Sequence, residues 1–83
     1  MYTYKTSGTC ARTIDFDIND DGIITEVVFN GGCSGNQQGI SSLVKGKPAT
    51  EIIPLLKGIE CGKRPTSCPD QLARALEEAL AQD

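Results

Sequence analysis

The chain has 83 residues and a formal net charge of −3, enough for one small domain, expected to span residues 1–83, with one modest core. The acidic charge balance argues against direct nucleic-acid binding, and no apolar run approaches the roughly 20 residues of a membrane-spanning helix. Because the N-terminus also lacks an apolar signal-peptide core, we expect a cytoplasmic protein, in which clustered thiols serve metal or redox chemistry more often than disulfides.

Three β-type stretches come first. Tyr2–Thr6 predicts a short strand, and the stretch from Cys10 to Ile18 alternates between apolar and polar residues, as half-buried antiparallel strands do. Asn19–Gly22 ends in Asp-Gly, which favours a hairpin turn, and Ile23–Phe29 is the return strand. The residues expected to face the core from the second strand are Ile14, Phe16 and Ile18.

Two helical segments follow the hairpin. Ser34–Val44 predicts a helix that ends near Gly46, a plausible left-handed cap. Pro48–Leu56 predicts a second helix, which Pro54 should kink or divide into two short turns. The apolar stripe of the first helix is expected to contain Ile40, Leu43 and Val44.

The last helix begins within Thr66–Asp70, where residues typical of an N-cap precede Pro69, the expected first helical position, and an acidic side chain. Its apolar positions are Leu72, Leu76, Ala79 and Leu80. Strands followed by helices predict an α+β fold. We expect a small antiparallel sheet of two or three strands with three C-terminal helical segments packed on it.

The chain has four cysteines, each at or near the end of a predicted element: Cys10, Cys33, Cys61 and Cys68. The predicted hairpin brings the segment of Cys33 back beside Cys10. Cys33 and Cys68 lie at predicted helix starts, where N–H groups without helical partners favour a thiolate. Four thiolates without a histidine suit a tetrahedral Zn²⁺ site or an iron–sulfur cluster. The cationic residues expected to offset their charge are Arg12, Lys63 and Arg64.

The residues alone leave other interpretations open. Cysteine is among the most often buried residue types, so four separate core or surface thiols fit the same pattern, and no Cys-x-x-Cys pair supports a metal site. The acidic turn Asn19–Gly22 does not complete the ligand pattern of a calcium loop. The glycine-rich stretch Gly31–Gly35 lacks the Lys-Ser/Thr ending of a phosphate-binding loop.

The segment Thr66-Ser67-Cys68-Pro69-Asp70 spells the signature of the TSCPD family, and the chain resembles the short stand-alone branch of that family with four cysteines. The family comprises small stand-alone proteins and C-terminal modules of some ribonucleotide reductases, especially those that depend on vitamin B12. The resemblance implies an accessory role beside a ribonucleoside-diphosphate reductase or another larger redox enzyme.

The layout is also similar to the N-terminal IscU/NifU type of iron–sulfur scaffold, which implies a fold of that kind. The stretches that match in order are Cys10, Asn19–Ile24, Gly32-Cys33, Val44–Lys47 and Cys68. The resemblance implies that Cys10, Cys33 and Cys68 are metal ligands, and Cys61 is then the economical fourth. Arg12 and Ser67 depart from the scaffold, which has Asp and His there. A closed four-thiolate site favours stable Zn²⁺ or a stable cluster over transfer.

Three functions are compatible with these features. The first is a metal-binding module accessory to a reductase, the second an iron–sulfur carrier, and the third a thiol–disulfide module that passes electrons to a reductase. No self-contained active site is visible in the sequence, because the chain has no histidine and is too short to enclose a substrate cleft beside its core. The sequence leaves the oligomeric state open.

Overall fold

The chain forms three strands followed by three helices. The computed structural model describes residues 2–6, 12–31, 34–59 and 66–81. The elements in chain order are β1 (Tyr2–Lys5), β2 (Thr13–Ile18), β3 (Ile24–Asn30), α1 (Ser34–Val44), α2 (Ala49–Leu56) and α3 (Cys68–Ala81). The predicted α+β class, with a three-stranded antiparallel sheet, is confirmed.

The sheet has the order β1-β2-β3, and all its pairs are antiparallel. A bulge interrupts the pairing of β2 with β3. Asp17 pairs with Glu26 while Ile18 pairs with Ile24, which leaves Thr25 as an extra residue on β3. One extra residue reverses the strand alternation, so apolar side chains on both sides of the bulge still face the core.

The hairpin turn between β2 and β3 is confirmed at Asn19–Gly22. The Asn19 side-chain oxygen accepts the backbone N–H groups of Asp21 at 2.9 Å and Ile23 at 3.0 Å. Gly22 has a φ of +79°, a conformation that strains any residue with a Cβ. Local side-chain bonding and one glycine therefore form the turn that the sequence predicts.

Helix α1 has the predicted bounds and ends before Gly46, whose φ of +86° makes it the expected left-handed residue. The predicted stripe was wrong at one position, because Leu43 is 75% exposed. Val44 is buried and Ile40 is half-buried. These two residues are four apart on one helix face, and α1 packs mainly against the edge strand β3. With Gln37, which is also buried, they form a narrow buried stripe among the described side chains of α1.

Helix α2 runs through Pro54 as one element. Of the two predicted effects of this residue, division into two turns was wrong, and the kink stays a prediction. Proline removes its own N–H donor from the helix. Three residues after Pro54, the Lys57 N–H still donates to the Ile53 carbonyl at 2.9 Å, as in a regular helix. The Ala49 N–H at the start of α2 donates to the Gly22 carbonyl at 2.9 Å, which ties this helix to the hairpin.

The core lies between one face of the sheet and the three helices. Its buried members are Ile14, Phe16, Ile24, Val27, Val44, Ala49, Ile52, Leu72, Ala75, Leu76 and Ala79. Helix α3 contributes four of these residues and packs against α2. Among the described helices, none combines the length and apolar character needed to cross a membrane.

Candidate functional site

Cys68 is the first residue of α3, and its side chain is half-buried. The preceding Ser67 caps the helix, because its hydroxyl accepts the Asp70 N–H at 3.2 Å and its carbonyl accepts the Gln71 N–H at 2.9 Å. Pro69 is the second helical residue rather than the first. The prediction that Cys68 lies at a capped helix start is confirmed.

The Asp70 side chain is completely buried and lies at the centre of a hydrogen-bond network. Its Oδ1 accepts the Gly58 N–H at 2.7 Å. Its Oδ2 accepts the Thr66 hydroxyl and the Arg74 Nε–H, the latter at 2.9 Å. A buried carboxylate is tolerated when its oxygens are bonded in this way, so Asp70 can stay ionised inside the fold.

The pKa of Asp70 reflects this balance. Burial raises the pKa, because it disfavours the charged form. Hydrogen bonds from Thr66, the Gly58 N–H and Arg74, together with the Arg74 charge, act in the opposite direction and outweigh burial. The pKa of Asp70 therefore lies below its ordinary value, and the ionised form contributes to stability.

The same network joins Gly58 and Ile59 to residues 66–70 at the start of α3. The Ser67 hydroxyl donates to the Ile59 carbonyl at 2.6 Å, and Asp70 accepts the neighbouring Gly58 N–H. Both described ends of the segment that carries Cys61 are therefore held at the start of α3, next to Cys68. The serine and aspartate of the signature hold Ile59 and Gly58, and the hydroxyl of Thr66 is itself held by the Gln71 side chain at 2.9 Å.

Gln37 of α1 connects Cys68 to the turn after β3. Its side chain is buried, with 6% of its surface exposed. The Nε2 atom donates to the Gly31 carbonyl at 2.7 Å and lies 3.8 Å from Cys68 Sγ, within hydrogen-bond range for sulfur. Gly31 is two residues before Cys33, so the sulfur of Cys68 lies beside the turn that leads into Cys33.

The described strand ends that border Cys10 and Cys33 lie together at one end of the sheet. Thr13 pairs with Asn30, and the Arg12 N–H donates to the Asn30 carbonyl at 2.7 Å. Arg12 itself is exposed. The predicted hairpin register is therefore confirmed up to the last residues described.

Of the predicted metal ligands, Cys68 is described, whereas Cys10, Cys33 and Cys61 lie outside the described residues, as do Lys63 and Arg64. Within the described ranges, no three or more His, Cys, Asp or Glu side chains form a group that could hold a metal ion. The half-buried Cys68 sulfur beside the Gln37 amide N–H is a donor of the kind that soft cations prefer. The meeting of four sulfurs stays a prediction.

Sequence reasoning missed two features of this site. The burial of Asp70 had a signal, because Arg74 stands four residues after it on α3, a spacing that brings side chains together on a helix. The contact of Gln37 with Cys68 had none, since these residues are 31 positions apart. Only the tertiary structure, in which α1 packs against β3, brings Gln37 to the start of α3.

An open cleft of about 420 Å³ lies between β3 and α1. The described residues that line it are Val27, Val28, Phe29, Gln37, Gln38, Ser41 and Ser42. None of these side chains is ionisable, so the described lining offers no general acid, base or nucleophilic thiol.

The comparisons agree with the signature at the start of α3. A family model described as the TSCPD domain matches residues 2–80. No match to this chain was found among curated proteins or among solved structures, so the expected likeness to the IscU/NifU scaffold is not confirmed. The family match covers nearly all of the 83 residues and every described element. The chain belongs to the TSCPD family.

Proposed function

We propose that this TSCPD domain is a small metal-binding module whose thiolates hold Zn²⁺ or an iron–sulfur cluster. The proposed ligands are Cys10, Cys33, Cys61 and Cys68. The observation that carries the proposal is the contact of one amide nitrogen, Gln37 Nε2, with both the Gly31 carbonyl and Cys68 Sγ. It supports a short distance between Cys68 and Cys33, because Cys33 is two residues from Gly31.

Two further contacts support the same gathering. Ile59, held by the Ser67 hydroxyl at 2.6 Å, is two residues before Cys61. Arg12, whose backbone N–H donates to the Asn30 carbonyl at 2.7 Å, is two residues after Cys10. Cys10, Cys33 and Cys61 are thus each two residues from a position that is hydrogen-bonded near the end of β3 or near the start of α3. Two residues span at most about 7 Å.

A resident metal would also suit the size of the domain. A core supplied by 83 residues gives a modest margin of stability, and small domains often gain the rest from a metal. When bound, Zn²⁺ or a cluster would cross-link the ends of the sheet and of α3 through sulfur. The chain's own residues contribute the positioning, through the Ser67 and Asp70 bonds at the start of α3.

Metal content per chain tests the proposal. Protein purified without oxygen should contain either about one equivalent of zinc, and be colourless, or iron and sulfide, and be brown. Cys68→Ala should lower the metal content sharply and lower the free energy of unfolding as well, since metal binding and folding are coupled. Ser42→Ala, at an exposed position of α1, should leave both unchanged.

Two other outcomes would favour a different function. Metal-free protein in which two cysteines interconvert reversibly between dithiol and disulfide would contradict metal binding and favour the thiol–disulfide function. Iron and sulfide that pass readily to an acceptor protein would favour the carrier function over a resident site.

We infer a partner from family membership, namely a ribonucleotide reductase or another larger redox enzyme. Membership of the TSCPD family supports this inference, because such modules also occur at the C-termini of some reductases. Addition of the purified chain to a reductase that lacks its own TSCPD module should raise turnover, and the two proteins should associate in size-exclusion chromatography. A reductase that neither binds the chain nor changes its rate would contradict this role without affecting the metal proposal.

A further inference from the structure

Gln37 differs from the residue that follows it. Both are glutamines on α1, but Gln37 is buried whereas Gln38 is exposed. A buried primary amide needs hydrogen-bond partners for its polar atoms. Gln37 finds two on its nitrogen, the Gly31 carbonyl at 2.7 Å and Cys68 Sγ at 3.8 Å.

The orientation of this amide follows from its partners. A backbone carbonyl can only accept, so the Gln37 nitrogen, and not its oxygen, must face Gly31. An amide nitrogen carries two hydrogens. One is directed to the Gly31 carbonyl, and the other is available to the sulfur of Cys68, which lies within range of the same nitrogen.

We infer that Gln37 is a positioning residue for the Cys68 sulfur, which it joins to the turn at Gly31 by donating one N–H to each. Hydrogen bonds to an ionised acceptor are stronger than those to a neutral one. The contact therefore gains strength when Cys68 acts as a thiolate. For its effect on metal binding, the inference rests on the function proposed above.

The expected magnitude comes from partners of metal ligands in general. Loss of a group that hydrogen-bonds to a metal ligand typically lowers metal affinity by about 10–100-fold. Gln37 holds the Cys68 sulfur and the Gly31 carbonyl with the same nitrogen, so its loss would affect the position of the sulfur relative to the end of β3.

A cobalt titration of the full chain measures the effect. The probe is Co²⁺ alone, followed by thiolate-to-cobalt charge-transfer absorbance. Gln37→Met keeps the length of the side chain but removes both N–H donors, and it should weaken Co²⁺ binding about tenfold. Gln37→Glu places acceptor oxygens against the carbonyl and the sulfur and should weaken binding further. Gln38→Met is the matched control and should bind as the unsubstituted chain does. Equal affinity in all four proteins would overturn the inference.

A second measurement needs no metal. In the metal-free full chain, the rate of alkylation of Cys68 by iodoacetamide can be followed by peptide mapping. Gln37 holds the half-buried sulfur against the turn at Gly31, so loss of both N–H donors in Gln37→Met should release the Cys68 side chain and raise the alkylation rate several-fold, while Gln38→Met should leave it unchanged. An unchanged or slower rate in Gln37→Met would overturn the inference. Failure of the unsubstituted chain to bind any metal would instead overturn the proposed function, and alkylation would still decide the role of Gln37.

Discussion

The hairpin turn and the start of α3 are both tight and polar, but their hydrogen bonds differ in range. In the turn, the Asn19 side chain bonds to residues two and four positions away. At the start of α3, Asp70 bonds to Gly58 and Ser67 bonds to Ile59, 12 and 8 positions away. The side-chain hydrogen bonds of the turn are therefore local, although its backbone also accepts the Ala49 N–H, whereas the side chains at the start of α3 hold Gly58 and Ile59.

Burial separates the two regions as well. Asn19, Asp20 and Asp21 of the turn are exposed, so water can replace a lost hydrogen bond there. Asp70 is completely buried. If it is removed, its buried donors lose their hydrogen-bond partner and have no water to replace it, so they pay the full desolvation penalty. Substitution of a polar side chain should therefore lower the free energy of unfolding more at the start of α3 than in the turn.

The largest difference is expected between Asp70→Asn and Asp20→Asn. The first removes a buried charge that Arg74 and Thr66 contact and should lower the free energy of unfolding by about 3 kcal/mol. The second is exposed in the turn and should change it by less than about 0.5 kcal/mol. Urea denaturation followed by circular dichroism measures both. Similar losses for the two variants would contradict the contrast.

Acid should remove part of the same stabilisation. The pKa of Asp70 is lower in the folded chain than its ordinary value of 3.8, so the ionised form stabilises the fold above that value. This contribution is lost as the pH falls through the folded pKa. The free energy of unfolding should therefore drop below about pH 4 in the unsubstituted chain and less steeply in Asp70→Asn.

The acid dependence due to Asp15 must be distinguished from that due to Asp70 in this experiment. Hydrogen bonds from Thr3 and Asn30 lower the pKa of Asp15 on the open face of the sheet. Asp15→Asn is therefore the control, and it should remove a different part of the acid dependence. An acid profile in Asp70→Asn that parallels the unsubstituted profile would contradict the role assigned to the buried carboxylate.

The smallest effects are expected from glycine-to-alanine substitutions at two positions. Gly22→Ala forces a Cβ into a φ of +79° and should destabilise the turn by about 1 kcal/mol. Gly39→Ala lies within α1, and its Cβ would meet no atom within 4 Å, so it should stabilise the chain by up to about 1 kcal/mol. Thermal unfolding measures both shifts. Shifts of the same sign would contradict the local account of the turn.

Most of the fold was predictable because its determinants are local. Alternation identified β2, Asn19–Gly22 identified the hairpin, and Ser67 with Asp70 identified the start of α3. One error, at Leu43, arose where packing decides, and the other concerned Pro54. Leu43 is exposed because α1 buries only a narrow stripe, and Pro54 is tolerated within one continuous helix.

The amino-acid sequence by itself determined the class of the fold, the family and the chemistry available at the site, since strand alternation, turn residues and thiols act through neighbouring positions. Only the tertiary structure decided that Asp70 is a buried acceptor for Gly58 and that Gln37 reaches Cys68. The physical reason is that periodicity indicates which face of an element is buried, but not which donors and acceptors meet across that face. Those meetings depend on how α1, α2 and α3 pack, and they connect the described part of the candidate site.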